Sequence, residues 1–187
     1  MNNNNKIKII GIDPGTQIMG YAILEHYFGI NKIETLGVIK LKKIEDHQQK
    51  LREIFLNTQE LIEIYQPGEL AIEAPFFGKN IQSMLKLGRA QGVAIAAGIT
   101  MGLNITEYSP KKVKQAITGN GNASKEQVAA MLQNILRVKL ENEFFDATDA
   151  LGVAYCHLNQ MSSIFSESKK YSGWKSFLNE NPGKIKA

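Results

Sequence analysis

A chain of 187 residues is long enough for one domain with a sizeable core and too short for two comfortable ones. Its 43% hydrophobic and 21% charged content excludes the disordered and fibrous classes, its single cysteine excludes an internal disulfide and a cysteine zinc site, and no run approaches the roughly 18 apolar residues of a membrane span. The net charge of +4 is mild but uneven: residues 78–125 hold Lys79, Lys86, Arg89, Lys111, Lys112, Lys114 and Lys125 against one acid, Glu107. Such a segment suits a polyanion held through its phosphates, or else a solvated lysine face in a lysine-rich chain. The opening Met1-Asn-Asn-Asn-Asn5 lacks the apolar centre of an export signal, so the expected location is cytoplasmic, with no membrane partner.

The first predicted element is the strand Lys6-Ile-Lys-Ile-Ile-Gly-Ile12, whose β-branched, nearly continuous apolar run suits burial on both faces in mid-sheet. It ends on Asp13. Pro14-Gly15 turns the backbone there and leaves the carboxylate at a strand end, where open sheets place active-site groups; an Asp that merely starts a turn reads as well. Ile18–Leu24 and Lys32–Leu41 follow as strands, joined through Tyr27-Phe-Gly-Ile-Asn31, a link short enough for antiparallel neighbours. From Asp46 to Tyr65 the period becomes helical, with Leu51, Ile54, Phe55, Leu61, Ile62 and Tyr65 on one face, until Pro67-Gly68 stops it. Glu69-Leu-Ala-Ile-Glu73-Ala-Pro75 repeats the design of the first strand, and a buried strand carries Glu73 into low dielectric only if something cationic meets it.

From Asn80 to about Met101 a helix rich in Gly88, Gly92, Ala94, Ala96 and Ala97 predicts burial, against its own sheet or against another helix or subunit. Asn104–Tyr108 is a strand, and Ser109-Pro110 caps a short helix bearing Lys111, Lys112 and Lys114. Gly119–Ser124 is a loop, and Ser124 with Gln127 forms a capping box opening a helix to about Arg137. It is not a phosphate-cradling loop, because Ser124 stands where a glycine must precede the lysine. The last predicted helix carries Asp146 and Asp149, three apart and therefore neighbours on one face; acids in a first turn also complement the helix dipole, and Asp146 serves as well as an N-cap. Cys156 reads as a reduced thiol in a helix core, and His157 as a helix residue with one polar partner. Beyond Met161 the composition shifts to a basic tail containing Trp174, dividing the chain into a domain over 1–161 and a tail over 162–187.

Asp13, Glu73, Asp146 and Asp149 thus come from two strand ends and one helix start. Four anions brought together repel unless hard divalent cations bind, and oxygen-only ligands suit Mg²⁺ or Mn²⁺. The chemistry such a cluster serves is in-line displacement at a phosphodiester, with two ions per site dividing the activation of water and the stabilisation of the leaving oxygen.

Five stretches carry a resemblance. Gly11-Ile-Asp13-Pro-Gly, Ala71-Ile-Glu73 with Phe76, Tyr108-Ser-Pro-Lys-Lys-Val-Lys114, Gly119-Asn-Gly-Asn-Ala-Ser-Lys125-Glu-Gln-Val, and Asp146-Ala-Thr-Asp149-Ala-Leu with His157 resemble, in order and spacing, the RuvC family of Holliday-junction resolvases over roughly residues 6 to 160. The resemblance implies a ribonuclease-H-like α/β fold, with a mixed sheet of three antiparallel strands followed by alternating helices and strands and flanked by helices. It implies a homodimer cutting two opposed strands of four-way junction DNA with Mg²⁺, in recombination and repair, beside the branch-migration motor RuvA/RuvB. The family's catalytic, metal-holding acids fall on Asp13, Glu73, Asp146 and Asp149; its DNA-contacting residues fall on Phe76, Lys114 and Lys125. Phe76 and Phe77 also read as packing a turn onto the body, and Phe77 stays unassigned. Gly152, where the family usually has alanine, is expected to loosen its helix by roughly 1 kcal/mol. Two other readings compete: an actin-like ATPase, since Gly-Ile-Asp13-Pro-Gly-Thr16 also resembles its phosphate loop although that architecture needs a longer chain, and a junction-binding protein without catalysis.

Overall fold

The computed structural model describes residues 6–75, 80–139 and 145–166. The predicted strands are present as β1 (Ile7–Asp13), β2 (Ile18–Tyr27), β3 (Ile30–Lys40), β4 (Glu69–Glu73) and β5 (Asn104–Tyr108). They form one sheet in the order β3-β2-β1-β4-β5, with β1–β2 and β2–β3 antiparallel and β1–β4 and β4–β5 parallel. The most apolar run therefore takes the central position, and Ile9, Ile10 and Ile12 are fully buried. One predicted boundary moves. The strands continue through the expected connection to Tyr27 and Ile30, and only Phe28-Gly29 turns, both at positive φ (48° and 78°). Such two-residue turns match the twist of a hairpin, which is why the strands need no longer link.

The helices are α1 (His47–Tyr65), α2 (Ile81–Thr100), α3 (Pro110–Thr118), α4 (Lys125–Leu136) and α5 (Phe145–Ser166). Asp46, Asn80, Ser109 and Ser124 each cap a helix by accepting a backbone N–H, and the Ser124–Gln127 capping box is formed on both sides. In α1 the buried stripe is Lys50, Ile54, Thr58 and Ile62, so the line of burial runs one position aside from Leu51, Phe55 and Leu61, which are half-buried flanks.

The two faces of the sheet differ. On one, α1 and α2 cover Ile10, Ile12, Met19, Ile23, Leu70 and Ile72, all fully buried. On the other, α5 lies across β1 and β2, with α3 and α4 beyond it around Ile9, Ala22, Leu24, Val113, Leu132 and Leu151. The α5 backbone comes very close: a Cβ on Gly11 would sit 2.2 Å from the Ala150 carbonyl oxygen, and one on Gly20 would sit 2.0 Å from that of Asp146. No side chain larger than hydrogen fits either place.

Two expectations are refined by the packing. α2 is buried only along Ala90, Gln91, Ala94, Ala97 and Gly98, whereas Ile81, Leu85 and Ile99 are more than half exposed and the Cβ positions of Gly88 and Gly92 open on empty space. One face is enough to cover the sheet, and the other is left exposed in the single chain. At Gly152, expected to loosen α5, an added Cβ would lie 3.1 Å from Ile117 Cδ1 and 3.4 Å from Val113 Cγ1, so α3 packs close against this turn.

Candidate active site

Asp13 is the last residue of β1 and Glu73 the last of β4, the strand running parallel beside it, so both carboxylates emerge at the same edge of the sheet. Asp146 and Asp149 lie in the first turns of α5, which Gly11 and Gly20 allow to rest against that edge. Asp13, Asp146 and Asp149 offer carboxylate oxygens that all lie within 4.8 Å of one another. Glu73 stands outside this tight trio but lines the same cleft of about 370 Å³, together with Asp13, Asp149, Lys114 and Lys125. Ser109 starts α3 so that Lys114 reaches the cleft, and the Ser124 capping box starts α4 at Lys125, whose Nζ donates to Asp149 Oδ2.

The electrostatics follow from this crowding. Burial, then repulsion from Glu73 and Asp149, pushes Asp13 from its ordinary 3.8 to about 8, with Lys125 pulling the other way. Burial and Asp149 push Glu73 from 4.5 to about 7 against the pull of Lys125 and Lys114. Lys125 titrates above its ordinary range: burial disfavours its charge, but the hydrogen bond to Asp149 together with the attraction of Asp149, Asp13 and Asp146 outweighs it. Hard oxygen donors that repel one another, with an ammonium already drawn among them, are a donor set that fits a hard divalent cation.

Every predicted site residue among those described, namely Asp13, Glu73, Asp146, Asp149, Lys114 and Lys125, falls in or at this cleft. Phe76, Phe77 and Lys79 lie outside the described residues. Of the remaining basic segment, Lys86, Arg89 and Lys111 are exposed, while Lys112 holds its Nζ 5.2 Å from the centre of the Tyr108 ring. A wider groove of about 920 Å³ opens at the other end of β1, but there Glu25 pairs with Lys6 at 2.6 Å and no acid trio forms among the described residues.

Sequence reasoning missed the walls and the struts. Pro110, Val113, Val128 and Gly152 line the cleft. Gln91 of α2 donates to Glu107 Oε2 at 2.6 Å and to the Glu73 carbonyl at 3.4 Å, tying down the end of β4. Its signal was a polar residue amid small apolar ones. His157 has more than the one polar neighbour expected: Nδ1 bonds the Tyr108 hydroxyl at 2.8 Å, and Nε2 faces Glu69 Oε2 at 3.4 Å without the alignment of a hydrogen bond. Cys156 is buried as expected, its thiol pushed up to about 11 by burial.

The sequence profile described as Crossover junction endodeoxyribonuclease RuvC matches residues 9–157. The protein of that description from Bacteroides fragilis is 56% identical over 180 residues, 95% of each chain, and that from Cytophaga hutchinsonii 54% identical over 178 residues, 95% of this chain and 88% of its own. Among solved structures, Thermus thermophilus RuvC in complex with Holliday junction substrate superposes with a TM-score of 0.78 at 28% identity, over 84% of this chain and 96% of that one. A match spanning the β1 and α5 acids, the expected strand order and close relatives along nearly the whole length lead to one conclusion: the chain belongs to the RuvC family of crossover junction endodeoxyribonucleases.

Proposed function

We propose that this chain resolves Holliday junctions, hydrolysing phosphodiesters on two opposed strands of four-way DNA during recombination and repair. The observation that carries the reading is the convergence of Asp13, Asp146 and Asp149 within 4.8 Å at the edge where Glu73, Lys114 and Lys125 also stand.

In this reading Asp13, Glu73, Asp146 and Asp149 hold two divalent ions, Mg²⁺ with Mn²⁺ as a substitute. Bound there, the metal supplies an activated water and neutralises charge on the leaving 3′ oxygen. The chain's own groups do the rest. Lys114 and Lys125 sit where a phosphate would enter the cleft and stabilise the charge it develops. Lys125 is more than half exposed on its flexible stem, so it can turn from Asp149 to a phosphate oxygen. Burial of Asp13 and Glu73 keeps water from screening these interactions. Phe76, two residues beyond Ala74, is assigned the support of an unstacked base at the junction centre.

Paired cutting needs two such sites, and we assign the chain a homodimer. Support comes from the outer face of α2, where Ile81, Leu85, Gly88, Gly92 and Ile99 fall on one exposed apolar stripe smooth enough for a second helix. The motor RuvA/RuvB is the proposed partner, and the cytoplasm, where the DNA lies, the proposed place; no described helix is long and apolar enough to cross a membrane. We keep 1–161 as the nuclease domain and 162–187 as a basic tail, with α5 extending past Met161 to Ser166.

The test is cleavage of synthetic four-way junctions with Mg²⁺. Nicks at paired positions, with linear duplex spared, are expected; equal cutting of duplex would point to a general nuclease. Asp13→Asn should abolish cleavage and keep junction binding, and loss of binding as well would make the acids structural.

A further inference from the structure

The helix that carries two of the acids meets the sheet through small residues where the two come closest. Where the α5 backbone comes nearest the sheet, Ala147, Ala150 and Ala154 stand against Gly11 and Gly20, while Leu151, Val153 and Leu158 share a buried cluster with Ile9 and Leu24. Small side chains allow the close approach the site needs, but at those points they interdigitate little, so the position of the acid-bearing turns along the helix axis depends on what holds α5 elsewhere along its length. A shift of about 1 Å along that axis would move Asp146 and Asp149 by the same amount relative to Asp13 and Glu73, enough to disturb a site of this kind.

Two turns beyond Asp149, about 12 Å at the rise of an α-helix, the same helix makes a directional attachment. His157, 5% exposed, bonds the Tyr108 hydroxyl through Nδ1 at 2.8 Å and turns Nε2 toward Glu69 at 3.4 Å. These neighbours suit the neutral tautomer with its proton on Nε2, toward the carboxylate, and with Nδ1 accepting from the tyrosine. Glu69 is held in turn by the Asn104 amide at 3.0 Å. Tyr108 is the β5 residue paired with Glu73, and its carbonyl accepts the Ala74 N–H at 2.8 Å. One buried ring therefore links α5, which carries Asp146 and Asp149, to β5 through Tyr108, the residue beside Glu73, and to β4 through Glu69 at that strand's other end.

We infer that His157 and Tyr108 are positioning residues, which set the axial register of α5 and thereby the separation of the Asp146 and Asp149 carboxylates from Asp13 and Glu73. The inference rests on the reading of those acids as a metal site. Neither residue touches substrate or metal; their effect is on how tightly the cluster closes around a cation.

The experiment compares wild type, Tyr108→Phe, His157→Asn and His157→Leu. Mn²⁺ affinity is measured directly, by the resonance signal of free Mn²⁺ in titrations without DNA, alongside melting temperature and junction binding without divalent metal. Tyr108→Phe, which removes one hydroxyl, should weaken Mn²⁺ binding about 3- to 10-fold and raise the Mg²⁺ needed for half-maximal cleavage in parallel. The rate at saturating metal should stay within about 2-fold of wild type, because added metal restores the closed cluster. His157→Leu should match or exceed that defect. His157→Asn, whose amide can take the place of Nδ1, should recover at least half of it. Unchanged Mn²⁺ affinity in Tyr108→Phe and His157→Leu, whether or not they melt lower, would overturn the inference and leave the metal site standing. Wild type that binds no Mn²⁺, or binds it as well with Asp13→Asn, would overturn the metal reading and this inference together.

Discussion

The two faces of the sheet are built from different residues and do different work. The α1/α2 face is bulky: Ile10, Ile12, Met19, Ile23, Leu70 and Ile72 meet Ile54 and Ile62, and no acid of the site comes from it. The α5 face has glycine and alanine where the helix comes closest to β1 and β2, and it brings Asp146 and Asp149 to Asp13. Large side chains fill volume and supply hydrophobic free energy. Small ones let a helix backbone come close enough to a strand for carboxylates of its first turns to meet the one at the strand's end. In this chain the bulky face carries stability, and the thin face carries geometry.

Adding a methyl group to the thin face should do the most damage. Gly20→Ala places a Cβ against the Asp146 carbonyl and must lift the start of α5, so junction cleavage should fall by about 100-fold or more even in molecules that remain folded by circular dichroism. Retained cleavage would mean that the close approach is not what assembles the site. The complementary change, Ile54→Ala on the fully buried side of α1, should cost about 2–5 kcal/mol in denaturant titrations. Cleavage per folded molecule should stay within about 2-fold of wild type, and a large specific loss would erase the division between the faces.

A third measurement separates charge from packing. Asp13 and Glu73 are carboxyls whose folded values, about 8 and about 7, lie above their ordinary 3.8 and 4.5. The folded chain therefore binds more protons than the unfolded one between about pH 4 and pH 8, and stability of the metal-free protein should fall as pH rises through that window. Asp13→Asn removes one source of the fall. At pH 8 without divalent metal it should raise stability by on the order of 2 kcal/mol, an advantage that vanishes near pH 4 and shrinks when Mg²⁺ is added. A variant no more stable than wild type at pH 8 would place the repulsion elsewhere. The smallest effect is expected from Gly152→Ala. Its Cβ would press on the far end of the Ile117 side chain, which can give way, so helix propensity should prevail and stabilise the protein by up to about 1 kcal/mol.

Much of the site was legible because its chemistry sits at punctuation marks. Asp13 before Pro14-Gly15 and Glu73 before Ala74-Pro75 each end an apolar run, and a charge at the end of a buried strand is hard to explain without a partner. The Ser124–Gln127 box fixed the start of α4, and so the position of Lys125, from local hydrogen bonding alone. The basic segment was less informative. Lys114 and Lys125 reach the cleft while Lys86, Arg89 and Lys111 face solvent, and nothing in a string of lysines separates the two groups. The burial of α2 was legible only in part for a related reason: small apolar residues serve both for packing inside a molecule and for meeting a second one, and composition does not say which. His157 was seen to be polar in an apolar helix, but its neighbours Tyr108 and Glu69 come from 49 residues away for the first and from another strand for the second.

Local rules sufficed for whatever depends on residues close in the chain. Periodicity, caps and turn residues determined the strands, the helices and which side chains end them, and the motif order identified the family. Distances between those ends were another matter. That three carboxylates meet within 4.8 Å while Glu73 stands slightly apart, that Gly11 and Gly20 are spaces for α5 rather than flexible links, and that one histidine braces the helix from behind were decided only when the chain closed on itself. The physical reason is that a sequence specifies its local conformations directly, whereas the separation of groups far apart in the chain is set by the sizes of everything packed between them.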